Sequence, residues 1–201
     1  MEQKHGLSNA RTLFGVRNIP TDNHIRNLLD TVNPKYLSSV FTDCFNALKK
    51  SGDLDTYRVN LGKNKRDLLI ALDGTTYHTS SDICCDNCSR KVKDGETMYS
   101  QSMVTPTVVA PGRNKVISLM PEFITPQDGD KKQDCEIKAG KRWLKQQDNL
   151  GDVTLLGDDL YAHEPWCRQV LEKGYNFIFV CKPDSHKTLY EWIKGVRKVL
   201  R

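Results

Sequence analysis

The period of the apolar residues changes near residue 67, from the spacing of helices to that of strands. Before that point, Pro20-Thr21-Asp22 reads as a helix start, with Thr21 as N-cap and Asp22 near the positive end of the dipole. Ile25, Leu28, Leu29 and Val32 follow at i, i+3, i+4 and i+7, one helical face. Pro34 ends this helix and opens the next, whose stripe of Tyr36, Leu37, Val40, Phe41, Cys44, Phe45 and Leu48 runs to about Lys50. A shorter helix is predicted over residues 7–17, stopped near Gly15. Residues 1–60 therefore form a helical N-terminal segment, and the poorly patterned stretch Ser51–Arg66 is the junction to a second domain, residues 67–201.

The second domain opens on the apolar run Leu68-Leu69-Ile70-Ala71-Leu72, a buried strand delivering Asp73. Met98–Ala110 and Lys115–Ile124, separated by Pro111-Gly112-Arg113-Asn114, read as a hairpin. A helix is predicted over 131–147, with Cys135, Ala139, Trp143 and Leu144 on one side. Val153–Gly157 is the fourth strand, a helix runs from Pro165 until Gly174 ends it, Phe177–Cys181 is the fifth strand, and Lys187–Leu200 is the last helix. Trp143, Trp166 and Trp192 fall at helical positions that predict core packing. A meander followed by alternating helices and strands implies a five-stranded mixed sheet flanked by helices, an α/β arrangement of the α+β kind.

Composition narrows this picture modestly. A chain of 201 residues can bury one ordinary core. No apolar run approaches the roughly 20 residues of a membrane span, and Met-Glu-Gln-Lys-His-Gly lacks a secretory apolar region, so a cytoplasmic location is expected. Seven cysteines, an odd number, suit reduced thiols better than a disulfide framework. Residues 1–66 carry 11 Lys/Arg against 6 Asp/Glu, whereas the remainder balances at 19 of each, so the excess of +5 belongs to the N-terminal third. Of that third, outward residues such as Arg11, Arg17, Arg26, Lys49 and Lys50 are the ones able to meet phosphate.

Two strands ending in acids carry the candidate chemistry. Asp73 closes the first, and Asp158 follows Val153-Thr154-Leu155-Leu156-Gly157. On adjacent strands, two such carboxylates share divalent metal, as two-metal phosphodiester chemistry requires with ions about 3.5–4 Å apart. Asp also favours turns, so position alone leaves a purely structural role open. Asp159 reads as a solvated neighbour or as a group supporting the site from behind its ligands, and Glu191 as a surface charge on the last helix. Cys85 and Cys88, within Cys84-Cys85-Asp86-Asn87-Cys88, make half of a tetrahedral zinc site. His78, Cys135 or Cys167 would have to complete it, and His163 with Cys167 is a second half-site.

Several segments in order resemble the DDE transposases of bacterial insertion sequences, with their ribonuclease-H-like catalytic core. They are Ile19-Pro20-Thr21-Asp22, Ala71-Leu72-Asp73-Gly74-Thr75, Pro121-Glu122-Phe123-Ile124-Thr125-Pro126-Gln127-Asp128 and Leu156-Gly157-Asp158-Asp159-Leu160-Tyr161. The resemblance spans residues 7 to 194. It implies Asp73 and Asp158 as catalytic metal ligands for Mg²⁺ or Mn²⁺, the Tyr161 spacing selecting Asp158 over Asp159. It implies double-stranded DNA, both element ends and target, as partner, a dimer for the full-length protein only, and a nucleoid-associated bacterial location. That family's third acid, a Glu in a Tyr-x2-Arg-x3-Glu-x6-Lys signature beyond a large insertion, has no counterpart around Glu191. The expectation is thus an incomplete, truncated transposase with little activity of its own; a stand-alone ribonuclease-H-like nuclease and a non-catalytic DNA-binding remnant are the rivals.

Overall fold

The structure is a computed structural model that describes residues 11–199 apart from 14, 16, 19, 63–64, 127–133 and 149. Most of the helix expected over 7–17, and the motif residues Ile19, Gln127 and Asp128, lie outside the described residues. The chain divides into two compact units, residues 1–40 and 41–201.

In the first unit, α1 (Asp22–Leu29) starts where the sequence signals it, with the Thr21 side chain accepting from the His24 N–H. A 3₁₀ turn over Pro34–Leu37 follows, capped by Asn33. The helix expected to open at Pro34 is therefore a tight turn that passes into α2 (Ser38–Ser51).

The second unit is a mixed α/β body. The junction is more ordered than its polar sequence implies, since Asp53–Tyr57 forms a 3₁₀ turn that buries Leu54 and Tyr57, and Arg58–Asn60 forms β1. The remaining strands are β2 (Arg66–Ala71), β3 (Gly74–Ser80), β4 (Ser89–Lys93), β5 (Glu96–Val104), β6 (Thr107–Val109), β7 (Ile117–Ser118), β8 (Glu122–Ile124), β9 (Val153–Gly157) and β10 (Asn176–Phe179). The helices are α3 (Glu136–Gln146), α4 (Glu164–Glu172) and α5 (Lys187–Val199).

These strands build two sheets, which corrects the expectation of one five-stranded sheet. The first is six-stranded and mixed, in the order β10-β9-β2-β6-β7, with β1 also paired to β2. β10, β9 and β2 are parallel neighbours, whereas β2–β6 and β6–β7 are antiparallel. The second has four strands, β3-β5-β4 with β8 on β5. The expected hairpin is real but split. Its inner part, β6 with β7, belongs to the first sheet, and its outer part, β5 with β8, to the second. The break falls at Thr105-Pro106, where proline has no N–H to continue a ladder.

β2 is central and buried on both faces, so it reads as a continuous apolar run, with Leu68 and Ile70 wholly inaccessible. Around it pack Val153 and Leu155 of β9, Val104 and Val108, Trp143 and Leu144 of α3, and Trp166 and Val170 of α4. At its N-terminal end the buried Asp67 accepts from Thr154 Oγ1 at 2.7 Å and Asn176 Nδ2 at 3.1 Å, joining three strands through one carboxylate. Trp143 and Trp166 are core as expected. Trp192 is 76% exposed with Leu189 and Ile193, because no described element covers that face of α5.

Candidate active site

β2 and β9 pair from Leu68 with Val153 to Ala71 with Leu156. The ladder extends one step, the Leu72 N–H donating to the Leu156 carbonyl at 2.9 Å. Asp73 and Asp158 each stand two residues past the last pair, so the register brings both exposed acids to the same C-terminal rim. The Asp73 carbonyl accepts from both the backbone N–H and the hydroxyl of Thr105, at 2.9 and 3.2 Å, which fixes the backbone where the chain passes from one sheet to the other. Asp158 also caps a turn, its Oδ1 accepting from the Leu160 N–H at 2.9 Å. The structural role of this aspartate and its place at the rim therefore coexist.

Glu136, which sequence reasoning passed over, joins them. It is the first residue of α3, and a Cβ placed on Gly74 would lie 2.1 Å from its Oε2. The carboxylate therefore rests on the backbone of the residue that follows Asp73. Burial raises its pKa; the Tyr161 hydroxyl pulls it down, the charges of Asp158 and Asp73 push it up, and the Gly74 N–H lowers it, with a net upward shift. The charges of Asp158 and Asp73 thus reach Glu136 at one edge of the sheet.

Tyr161 ends the turn that Asp158 caps. Its buried ring packs against Trp166 and Phe179, with centroids 5.6 and 6.1 Å apart. Glycine at 157 makes room for it, since a Cβ there would approach Tyr161 Cδ2 to 2.9 Å. Burial first, then Glu136, drive the phenol pKa strongly upward, so Tyr161 stays a neutral donor. The hydroxyl approaches Glu136 electrostatically yet falls short of hydrogen-bond geometry, and Oη is a buried polar atom without a bonded partner. We therefore treat it as a polarising neighbour.

The start of α3 is anchored from outside the site. Asp134 is buried and accepts from the Thr125 N–H at 2.9 Å and from Arg142 Nη1 and Nη2 at 2.9 and 2.8 Å. Arg142 also donates to Glu122 Oε1 at 2.7 Å and the Phe123 carbonyl at 2.8 Å, tying α3 to β8. Burial alone would raise the Asp134 pKa, but the Arg142 and Thr125 hydrogen bonds outweigh it and hold it low. The same hydrogen bonds to Asp134, against the opposing effect of burial, raise Arg142.

Asp159 is engaged elsewhere. It accepts from the Lys182 N–H at 2.6 Å and from the Ser185 hydroxyl, and its Oδ1 lies 3.3 Å from His186 Nε2, without hydrogen-bond alignment. Those partners, led by Ser185, lower its pKa. It braces the turn before α5, and is half-buried there rather than the solvated neighbour the sequence suggested. Glu191 is exposed on α5. His78 lies on β3 opposite Gln101. His163 precedes α4 and stacks on His186 at 5.7 Å, while the Cys167 thiol faces the Tyr161 carbonyl at 3.9 Å. Cys135 is the exposed N-cap residue of α3. Cys85 and Cys88 do meet, with sulfurs 3.5 Å apart.

Compared with models of known families, with curated proteins and with solved structures, the chain finds no match. Among the described residues no three His, Cys, Asp or Glu side chains converge as a ready metal-ligand set. The donor chemistry of the rim nevertheless fits a hard divalent cation. Carboxylates are oxygen ligands for Mg²⁺ or Mn²⁺, and such an ion would offset the Asp158 and Asp73 charges that add to burial in raising Glu136.

Proposed function

We propose that this chain belongs to the ribonuclease-H-like catalytic core of a DDE-type transposase, whose parent activity is metal-dependent phosphodiester chemistry on double-stranded DNA. The observation that carries this reading is the matched register of Asp73 and Asp158 at one rim of adjacent parallel strands. The two aspartates would hold Mg²⁺ or Mn²⁺, which supplies activation of the attacking oxygen and charge stabilisation of the leaving one. Glu136 adds a third carboxylate from α3, and Tyr161 stands by as a neutral donor. The basic excess of residues 1–66 supports contact with the phosphate backbone, where such contacts position rather than specify.

Glu136 also favours a second reading. With three acids near one another in a single chain, a self-sufficient ribonuclease-H-like nuclease becomes a stronger rival than the sequence suggested. A cleavage assay with Mn²⁺ separates these readings. Cutting confined to element ends, with joining of the 3′-hydroxyl to target DNA, supports transposition; hydrolysis of a generic duplex supports the nuclease. Activity that survives both Asp73→Ala and Asp158→Ala refutes the shared site.

A further inference from the structure

We propose that Cys85 and Cys88 are a redox dithiol, a modification site at which a small-molecule disulfide such as oxidised glutathione closes an internal disulfide bond. The pair sits in the loop joining β3 to β4, beyond the end of β3 opposite Gly74, and the proposed phosphodiester chemistry makes no use of it.

The geometry is that of a preformed turn. The Cys88 N–H donates to the Cys85 carbonyl at 3.1 Å, which closes the four-residue loop and sets the sulfurs 3.5 Å apart. Closing a bond of about 2.05 Å from there needs only a modest side-chain rotation. Both sulfurs also accept hydrogen bonds, the Cys85 N–H to Cys88 Sγ at 3.3 Å and Gln101 Nε2 to Cys85 Sγ at 3.0 Å. Donors aimed at sulfur favour the thiolate, the attacking species in exchange. The two cysteines differ in access, Cys85 being exposed and Cys88 only 2% accessible. The Cys85 N–H lowers the Cys88 pKa, yet burial and the facing Cys85 sulfur outweigh it and leave that thiol raised.

This asymmetry orders the steps. The Cys85 thiolate attacks one sulfur of the small disulfide, forming a mixed disulfide and expelling one thiolate. Cys88, shielded from solvent, then attacks Cys85 Sγ and expels the second. The protein loses two electrons and two protons, which the reagent takes up as two thiols, so the exchange balances and runs backwards under excess thiol. Cys84, adjacent and exposed, takes part in neither of these two sulfur hydrogen bonds.

The test uses the full chain, folded, titrated with oxidised glutathione in the presence of EDTA, then alkylated and mapped by mass spectrometry. The expected product is a Cys85–Cys88 disulfide, seen as the loss of two hydrogens from the peptide that holds both and restored by dithiothreitol. Cys88→Ser should trap a stable glutathione adduct on Cys85, and Cys84→Ser should leave disulfide formation intact. Circular dichroism of each variant establishes that it is folded. Glutathione adducts on Cys84 and Cys85 with no internal bond in the wild type would overturn the proposal, as would loss of the disulfide in folded Cys84→Ser.

Discussion

Replacing Gly74 with Ala tests the three-acid rim with the smallest available change. The added Cβ would sit 2.1 Å from Glu136 Oε2, 2.5 Å from Cδ and 3.1 Å from Oε1, so the carboxylate must leave. The obstructing atoms are the far end of a flexible side chain, and Glu136 is half-buried, so it can swing towards water. Gly74 is not among the glycines with left-handed backbone, and alanine there is unstrained. Removing the glycine's excess freedom from the unfolded chain contributes about 0.4–1 kcal/mol in favour of folding. Against this stand the lost approaches of the Tyr161 hydroxyl and the Gly74 N–H; in the same direction as the entropy gain acts relief from burial and from the charges of Asp158 and Asp73. The net change should lie within about 1 kcal/mol, a midpoint shift of no more than about 4 °C for a chain of this size. Two further measurements carry the weight. Carboxyl-carbon NMR should show Glu136 titrating nearer its ordinary range in the variant, and calorimetry should show Mn²⁺ affinity falling on the order of 10-fold. An unchanged Glu136 titration with unchanged Mn²⁺ affinity would refute the placement of Glu136 at the rim. A fall in midpoint beyond about 10 °C would refute the argument that a flexible end simply moves aside.

Three other changes probe the neighbouring parts. Because the folded pKa of Glu136 is raised, its contribution is intact below the unfolded value near 4.3 and is lost as pH rises through the folded one. Glu136→Gln should therefore gain thermal stability over wild type at pH 7 and little at pH 4, and added Mn²⁺ should narrow the gap at pH 7; a pH-independent difference in melting would contradict this. Arg142→Met leaves the buried Asp134 unpaired and should cost roughly 3 kcal/mol in urea unfolding; since the Asp134 pKa is lowered, the wild type should lose this advantage only as pH falls through that depressed value. Asp159→Asn should loosen the 182–186 turn, read as faster amide exchange there, while sparing Mn²⁺ affinity; Asp158→Asn should weaken Mn²⁺ instead, and the reverse outcome would reassign the two.

The elements that the sequence announced are those whose environment is uniform. Val153–Gly157 appears at the predicted bounds because it is a largely buried parallel strand lying between two others, with Val153 and Leu155 in the core. α4 begins one residue before Pro165 and ends before Gly174, whose φ of 83° supplies the left-handed turn. The missed strands lie mainly in the second sheet. β3, Gly-Thr-Thr-Tyr-His-Thr-Ser, is largely exposed, so no apolar alternation marks it. Its first residues also look like the turn that an Asp-Gly pair ordinarily makes. The Lys115–Ile124 strand was legible as extended chain, but its division between two sheets depends on pairing that no local pattern encodes.

Glu136 was hidden for a different reason. It lies far along the chain from Asp73, in a charged helix start where a glutamate needs no explanation beyond the helix dipole. The legible signal was on the other side of the contact. A glycine opening a strand weakens it by having no side chain to pack, and often marks close approach by another part of the protein. Gly74 directly follows the first acid, so whatever approaches it must come within reach of that acid. The approaching group is a carboxylate whose burial, together with the charges of Asp158 and Asp73, raises its pKa, while the Tyr161 hydroxyl acts the other way. Gly74 leaves room for that carboxylate, since an added Cβ would meet it, and a divalent cation at the rim, as proposed above, would offset the charges gathered there. That is the physical content of assigning the rim to divalent metal, and it is why Gly74→Ala, more than removal of any one acid, separates a working site from a cluster of turn residues.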